Sequence, residues 1–259
     1  MKKIVMSVLL LSALVACKKE TKDNNEQTFT GPRQQFHSGK AWTWFRVTKA
    51  GSPLQVGIRI DDAALQSMPI ETKSGEGGHH LHENSIVLPL HPKALELTPF
   101  KTVGVDWNPA GHPPDNIYTK PHFDFHFYLM TEAQRLAATD PARLNAAPPA
   151  DYLPPTYFGV DPVPQMGKHW LDMTSPELNP ANPEPFAQTF VYGSYDRKVN
   201  FYEPMITLEF LKNTAQFERS IPQPAKFATT GYYPTKMTVV KQDGFTDIIL
   251  EGFVLQQGS

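Results

Sequence analysis

The sequence predicts a mainly β protein, in which antiparallel strands form a single β-barrel or β-sandwich domain with a few short helices and long Pro-rich loops. Residues 121–128 (PHFDFHFY) alternate between polar and aromatic side chains, and a period of two residues is typical of a strand with two different faces. The 259-residue chain contains 25 prolines, which are excluded from helix interiors and central strands and therefore favour short elements. The long apolar runs of period 3.6 that a helical bundle requires are missing from the sequence.

Three pairs of β-rich segments flank a turn signal and predict hairpins. The paired segments and their turns are 41–50 and 53–60 around Gly51-Ser52, 188–195 and 198–206 around Asp196-Arg197, and 235–241 and 245–255 around Asp243-Gly244. These hairpins support the β fold class, but they do not distinguish a barrel from a sandwich.

Two short helices are predicted from the residues that would cap them. Asp61 is a suitable N-cap for a helix that extends to Met68, and Thr131 precedes the good helix formers of residues 131–138. The chain then continues as Pro-rich coil through Pro164, and apolar side chains recur throughout this coil, so no domain boundary is predicted there.

The N-terminus has the features of a secretory signal. The chain begins with the basic tripeptide MKK, and residues 4–16 form an apolar run that is too short to span a bilayer comfortably. Residues 14–17 (LVAC) resemble the lipobox of bacterial lipoproteins, which implies removal of residues 1–16 and a diacylglycerol on Cys17. The expected location is the bacterial cell envelope, outside the cytoplasm, with the membrane as a partner through lipidated Cys17.

The rest of the chain divides into a tether and one domain. Residues 17–38 are expected to form the lipidated cysteine and a flexible tether, because residues 18–30 are polar, charged and poor in apolar side chains. Residues 39–259 then form the single β-rich domain. Cys17 is the only cysteine, so the domain has no disulfide and no thiol nucleophile.

Several functional classes receive no support from the sequence. The formal net charge is −2 and no basic stripe is present, which argues against nucleic-acid binding. A G-x-S-x-G elbow, a P-loop and a dinucleotide fingerprint are also missing, so the common hydrolase and nucleotide-binding interpretations are weak.

The alternating segment carries the candidate chemistry. His122, Asp124 and His126 share one face of the predicted strand, and imidazoles and carboxylates are the groups that metal centres and proton-transfer sites use. Glu203 stands among aromatic and aliphatic residues, where burial of an unpaired carboxylate costs several kcal/mol, so this residue needs a cationic partner. His169 alone would more often be a packing residue than a ligand, but it becomes a candidate ligand together with these residues.

The metal hypothesis assigns His122, His126 and His169 as nitrogen ligands and Glu203 as the oxygen ligand. Such a set suits a divalent transition metal, either Zn, Mn, Fe or Cu. On a straight strand, residues four apart are about 13 Å apart at Cα, whereas adjacent residues on one face are about 6.6 Å apart. Either a bulge or a strong twist draws His122 and His126 together, or Asp124 is a ligand and the remaining histidine supports the site or moves protons.

Three further side chains are expected around the ligands, namely His112, Tyr128 and Trp170. For His112, a structural role in holding its own loop is an equally good interpretation. Residues 71–83 contain glycines and three more histidines (His79, His80 and His82), which would form a second metal site or a lid. An exposed polar loop is the favoured interpretation of that segment, because glycine-rich loops hold ligands poorly.

A polar network without metal is the alternative to a metal centre. Histidine and aspartate on one strand can hydrogen-bond each other, and Glu203 can pair with Arg197 or Lys198 at the neighbouring turn. Three functions therefore compete: an extracytoplasmic metalloprotein whose enzymatic activity is left open, a lipid-anchored module with an aromatic pocket for a small apolar ligand, and a structural component of the envelope. Homo-oligomer formation is also left open.

Five short motifs, taken together, resemble those of an uncharacterised family of bacterial secreted proteins. They are DWNP at 106–109, GHP at 111–113, PHFDFHFY at 121–128, MGKHW at 166–170 and EPMIT at 203–207. The family is classified as a domain of unknown function and has a Thermus representative of the TTHB type. The resemblance covers the chain from Gly39 to the C-terminus, and it implies the extent of the domain and a shared site but no activity.

Overall fold

A computed structural model of the protein describes residues 26–70 and 84–259. Cys17 and the lipobox lie outside these ranges, as do His79, His80 and His82, so the interpretations of those residues stay predictions. Within the described ranges, no helix combines the length and the apolar character that crossing a membrane requires.

The described residues form sixteen strands and five short α-helices, numbered in chain order. The first eight strands are β1 (Glu26–Thr30), β2 (Gln34–Phe36), β3 (Gly39–Thr48), β4 (Pro53–Asp61), β5 (Ser85–Leu88), β6 (Thr102–Asn108), β7 (His122–Tyr128) and β8 (Tyr157–Val163). The last eight are β9 (Gly167–Asp172), β10 (Gln188–Tyr195), β11 (Lys198–Thr207), β12 (Gln216–Ser220), β13 (Gly231–Tyr233), β14 (Lys236–Gln242), β15 (Phe245–Glu251) and β16 (Val254–Gln256). The helices are α1 (Asp62–Gln66), α2 (Pro92–Leu97), α3 (Glu132–Leu136), α4 (Pro141–Asn145) and α5 (Leu208–Asn213).

The strands form two large antiparallel sheets. Sheet A has the order β1-β3-β4-β15-β14-β12, with β2 also paired to β3, and sheet B has the order β5-β6-β7-β11-β10-β9-β8. A separate pair of short strands consists of β13 and β16. The prediction of a mainly β antiparallel domain is confirmed, and of its two architectures the structure shows the two-sheet sandwich.

The core lies between the two sheets and fixes the orientation of β7. Phe123, Phe125 and Phe127 are fully buried there and belong to one cluster with Ile58 of β4 and Ile248 of β15. Because side chains alternate along a strand, the polar residues of β7 must lie on the outer face of sheet B. The two unlike faces predicted from the alternation are therefore confirmed.

The predicted turns and caps are also confirmed. The β10–β11 turn has Asp196 and Arg197 at φ 50° and 64°, and the β14–β15 turn has Gly244 at φ 86°. Asp61 caps α1 by accepting a hydrogen bond from the Ala64 backbone N–H at 2.8 Å.

Two parts of the prediction differ from the structure. Residues expected in the tether form β1 and β2, which pair with β3. The segment expected to be coil through Pro164 contains α4 and β8, and β8 pairs with β9. Gly159 and Pro162 break the pattern of β8 and flank an irregularity in its pairing, which an edge strand tolerates.

A buried ion pair stabilises sheet A. Asp247 is almost fully buried, and Arg59 donates to its two carboxylate oxygens through Nε and Nη2, each at 2.7 Å. The Trp44 indole N–H adds a hydrogen bond to Asp247 at 3.0 Å. This paired carboxylate belongs to the other sheet, so it provides a control for the candidate site.

Candidate metal centre

Adjacent strands of sheet B bring the candidate side chains onto one face. Asp106 of β6 lies opposite Asp124 of β7, and Met205 of β11 lies on the other side of Asp124. Glu203, two residues before Met205 on the same strand, consequently faces the same way. His169 of β9 completes the row from the strand beyond β10.

The first cluster, here called the Asp124 group, consists of His112, His122 and Asp124. The distance from His112 Nε2 to Asp124 Oδ2 is 3.1 Å, and that from His122 Nε2 to Asp124 Oδ1 is 3.2 Å. Asn108 donates from Nδ2 to Asp124 Oδ2 at 2.7 Å. The loop between β6 and β7 thus returns His112 to the strand that follows it.

The second cluster, here called the Glu203 group, consists of His126, His169 and Glu203. His126 Nε2 lies 3.5 Å from Glu203 Oε1, and His169 Nε2 lies 3.7 Å from Glu203 Oε2. On the other side of the His126 ring, Nδ1 lies 3.1 Å from Asp106 Oδ2. The Ser85 hydroxyl donates to the second oxygen of Asp106 and so holds that carboxylate in place.

The outer nitrogens of these imidazoles have partners of their own. His122 Nδ1 donates to the Lys120 carbonyl oxygen at 2.7 Å, and His112 Nδ1 donates to the Pro113 carbonyl oxygen at 2.7 Å. A neutral imidazole carries one proton, so in that form Nε2 presents a lone pair to the carboxylate. Two lone pairs at this distance repel each other unless a proton or a metal ion lies between them.

Most of the facing atoms make no hydrogen bond of normal geometry within residues 26–70 and 84–259. This is the case for buried His122 Nε2, Asp124 Oδ1, His126 Nε2 and Glu203 Oε2. A buried polar atom without a partner costs about 1–3 kcal/mol. The nitrogen and oxygen atoms of each group lie within 4.8 Å of one another, which is close enough for them to hold one metal ion.

The electrostatics of the site favour a positive charge within each group. Burial lowers the pKa of His126, but the effect of Glu203 and Asp106 is larger in the opposite direction and raises this pKa to about 9. Burial also opposes protonation of His112, and Asp124 outweighs it, raising that pKa to about 9. Burial raises the pKa of Glu203 to about 8, although the charge of His126 partly counteracts this effect. The carboxylates therefore attract either protons on the imidazoles or a cation that replaces them.

Aromatic packing fixes the Glu203 group. Tyr128, which was expected around the ligands, stacks on His126 with ring centroids 5.2 Å apart and an interplanar angle of 5°. The Phe201 ring contacts both His126 and His169 edge-on, with distances between ring centroids of 4.9 and 5.0 Å. A Cβ at Gly193, opposite Phe201, would collide with the ring, so only glycine allows this position.

One sequence-based expectation about neighbours differs from the structure, and one alternative pairing is not observed. Trp170 was expected beside the ligands, but it packs against the core between the sheets, because it follows His169 and so faces the other way. Its indole N–H donates to Ser194 Oγ at 2.9 Å. The ionic contacts of Glu203 are with histidines, not with Arg197 or Lys198 at the turn.

The structure divides the predicted ligands between the two groups. His126, His169 and Glu203 come together as the metal hypothesis requires, whereas His122 lies with Asp124. Of the two alternatives for the spacing along β7, the structure pairs residues on adjacent positions of one face. His112, expected around the ligands, contributes a nitrogen to the Asp124 group.

A cavity of about 560 Å³ lies over both groups. Asp124, His112 and His169 face it, together with Asp106. The remaining wall is mainly apolar and includes Trp107, Tyr118, Val160, Val163, Met166, Leu171 and Met205. Its volume is typical of a site for a small molecule.

The sequence interpretation assigned no role to Asp106, Asn108 or Tyr118. Asp106 and Asn108 alternate on β6 and lie opposite Asp124 and His122, so the period-two pattern of residues 102–108 was a usable signal. Tyr118 belongs to the loop and gave no such signal.

The fold and the site define this chain as a β-sandwich protein with a buried cluster of histidines and carboxylates on the outer face of one sheet. Comparisons with models of protein families, with curated proteins and with solved structures found no match.

Proposed function

We propose that the protein is a metalloprotein of the bacterial cell envelope, anchored by lipid through Cys17, that binds divalent transition-metal ions at the Asp124 and Glu203 groups. Each group offers two imidazole nitrogens and one carboxylate oxygen, and the ligand atoms of a group lie within 4.8 Å of one another. Mixed nitrogen and oxygen ligands of this kind suit Zn, Mn, Fe or Cu.

The observation that carries the proposal is the set of buried nitrogen and oxygen atoms that face each other without normal hydrogen bonds. One metal ion in each group would satisfy the atoms that face each other there. Asp106 would act on the His126 ring, because a carboxylate behind an imidazole ligand fixes its orientation and raises its basicity.

The cavity favours a reactive or ligand-binding centre over a purely structural one. Structural zinc sites have four protein ligands, whereas each group here supplies three and faces a cavity. A bound divalent ion would supply a Lewis acid or lower the pKa of a bound water.

Metal analysis of the full chain, purified in detergent and dialysed, tests the metal part of the proposal. We expect at least one equivalent of transition metal, which His126→Ala and Glu203→Ala each reduce. His91→Asn is a matched control, because His91 caps α2 through Nδ1 away from the site and asparagine keeps a cap. A metal content that is negligible, or unchanged by both site variants, would refute metal binding.

The anchor has its own test. The lipobox at residues 14–17 supports lipidation of Cys17. Growth of the expressing bacterium with an alkyne-labelled fatty acid should label the wild-type chain and not the Cys17→Ser variant. Equal labelling of both chains, or of neither, would contradict the lipid anchor and leave the metal proposal intact.

A metal-free polar network is the second candidate, in which the protein is a structural or small-ligand-binding module of the envelope. The raised pKa values of His112 and His126, both about 9, favour it, because imidazolium ions would also neutralise the facing carboxylates. The metal analysis above decides between the two candidates.

A further inference from the structure

The cavity over the two groups has an unusual charge pattern. Among the described residues that line it, none is a lysine or an arginine. The carboxylates that line it are those of Asp106, Asp124 and Asp161, of which Asp161 is exposed to solvent and therefore screened.

Metal loading would add positive charge to the cavity. One divalent ion in each group brings four positive charges, and the carboxylates of Asp106, Asp124 and Glu203 bring three negative ones. With neutral imidazoles, one positive charge is left on the cavity floor. A single monoanionic head would neutralise it, whereas a dianion would leave an uncompensated negative charge in a poorly solvated site.

The wall of the cavity restricts the rest of the molecule. Val160, Val163, Met166, Leu171 and Met205 line it with apolar surface, so a second charge on the ligand would lose its hydration without gaining a partner. The volume of about 560 Å³ admits a small molecule.

Tyr118 offers one further contact. It is almost fully buried, it lines the cavity, and its hydroxyl has no hydrogen-bond partner among the described residues. Its ring lies 6.0 Å from the His112 ring and 6.4 Å from the His122 ring, between centroids, so the tyrosine is beside the Asp124 group. A ligand oxygen bound over that group would accept a hydrogen bond from this hydroxyl.

We infer that the cavity binds a small molecule with one carboxylate head, held by the metal and by the Tyr118 hydroxyl, and a compact apolar body that lies against Val160 and its neighbours. This inference rests on the proposed metal function. It assigns to the site a class of ligand, the small monocarboxylic acids with an aromatic or aliphatic body.

Cobalt(II) provides the test, because its visible spectrum reports changes in coordination. The full chain in detergent is loaded with cobalt(II) and titrated with benzoate, and benzyl alcohol serves as a neutral probe of similar size. We expect benzoate to change the spectrum in a saturable way and benzyl alcohol to bind at least about tenfold more weakly, because it lacks the charge that the metal holds.

Two variants test the two ends of the ligand. Tyr118→Phe should weaken benzoate binding about tenfold while cobalt remains bound, since one hydrogen bond to a charged oxygen is lost. Val160→Asp should weaken it by at least as much, because it adds a carboxylate to the wall. Val254→Asp is the matched control on exposed β16 and should have no effect.

The outcomes separate the two proposals. If no cobalt binds, the metal function itself fails. If cobalt binds but benzoate neither changes the spectrum nor binds by calorimetry, only the ligand inference is overturned. Equal benzoate affinity with and without cobalt would also overturn it, because the metal would then not hold the head.

Discussion

Raising the pH from 6.5 to about 9 should weaken the fold of the metal-free protein. The pKa of His126 rises from 6.5 in the unfolded chain to about 9 in the fold, because Glu203 and Asp106 outweigh the effect of burial. The stability from this group is therefore fully present below pH 6.5 and is lost as the pH rises through 9. The shift corresponds to about 3 kcal/mol for this fully buried ring.

Glu203 titrates together with His126, because the two groups are in contact. Burial raises the pKa of Glu203, so the pair holds more protons in the fold than in the unfolded chain, and stability falls as the pH rises. With metal bound, the imidazoles are deprotonated ligands, so the stabilisation that metal provides should grow with pH. The gap between the loaded and metal-free proteins should widen from pH 6.5 to 9.

Urea unfolding followed by tryptophan fluorescence measures both curves, with a chelator for the metal-free sample. His126→Gln should flatten the pH dependence of the metal-free protein, and His91→Asn should leave it unchanged. A metal-free stability that is constant or rises between pH 6.5 and 9 would show that His126 is not held as an imidazolium by its carboxylates.

Three further predictions follow from individual contacts. Asp106→Asn should reduce metal affinity about 10–100-fold, because the carboxylate behind His126 is lost; unchanged affinity in competition with a chromophoric chelator would contradict this. Gly193→Ala should destabilise the fold by about 1–3 kcal/mol in urea and weaken metal binding as well, since the new methyl displaces Phe201; a stable variant with normal metal content would contradict that packing. Asp247→Ala should lower the free energy of unfolding by about 3–5 kcal/mol, because the Arg59 guanidinium in sheet A loses its carboxylate partner. The metal stoichiometry of the folded variant should be unchanged, and a loss of metal from this variant would show that the site is not local to sheet B.

The local part of the site was predictable from the sequence. Period-two alternation with aromatic residues leaves one orientation for β7, because three phenylalanines can be buried only against the core. The hairpin turns were predictable for a similar reason, since the φ > 0 conformations at Asp196, Arg197 and Gly244 are signalled by residue type.

The long-range part of the site was not predictable. His169 meets Glu203 only because β9, β10 and β11 pair in a particular register, which shifts between Gly193 and Ser194 of β10. No pattern within a single strand encodes that register. The position of His112 depends likewise on the path of the β6–β7 loop. The edge strand β8 was hidden by its proline and glycine.

The residues at the base of the cavity and the residues around its far side belong to different parts of the fold. The ligands of β7 stand on a strand whose register is locked by phenyl rings on its reverse side, so a slip of one residue would expose those rings and is strongly disfavoured. The far side of the cavity, by contrast, is built from β8 at the sheet edge and from the β6–β7 loop. Substitutions in β8 or in the β6–β7 loop can change which molecules the cavity binds without moving the side chains of β7. Selection or design can therefore change the ligand while these side chains keep their positions.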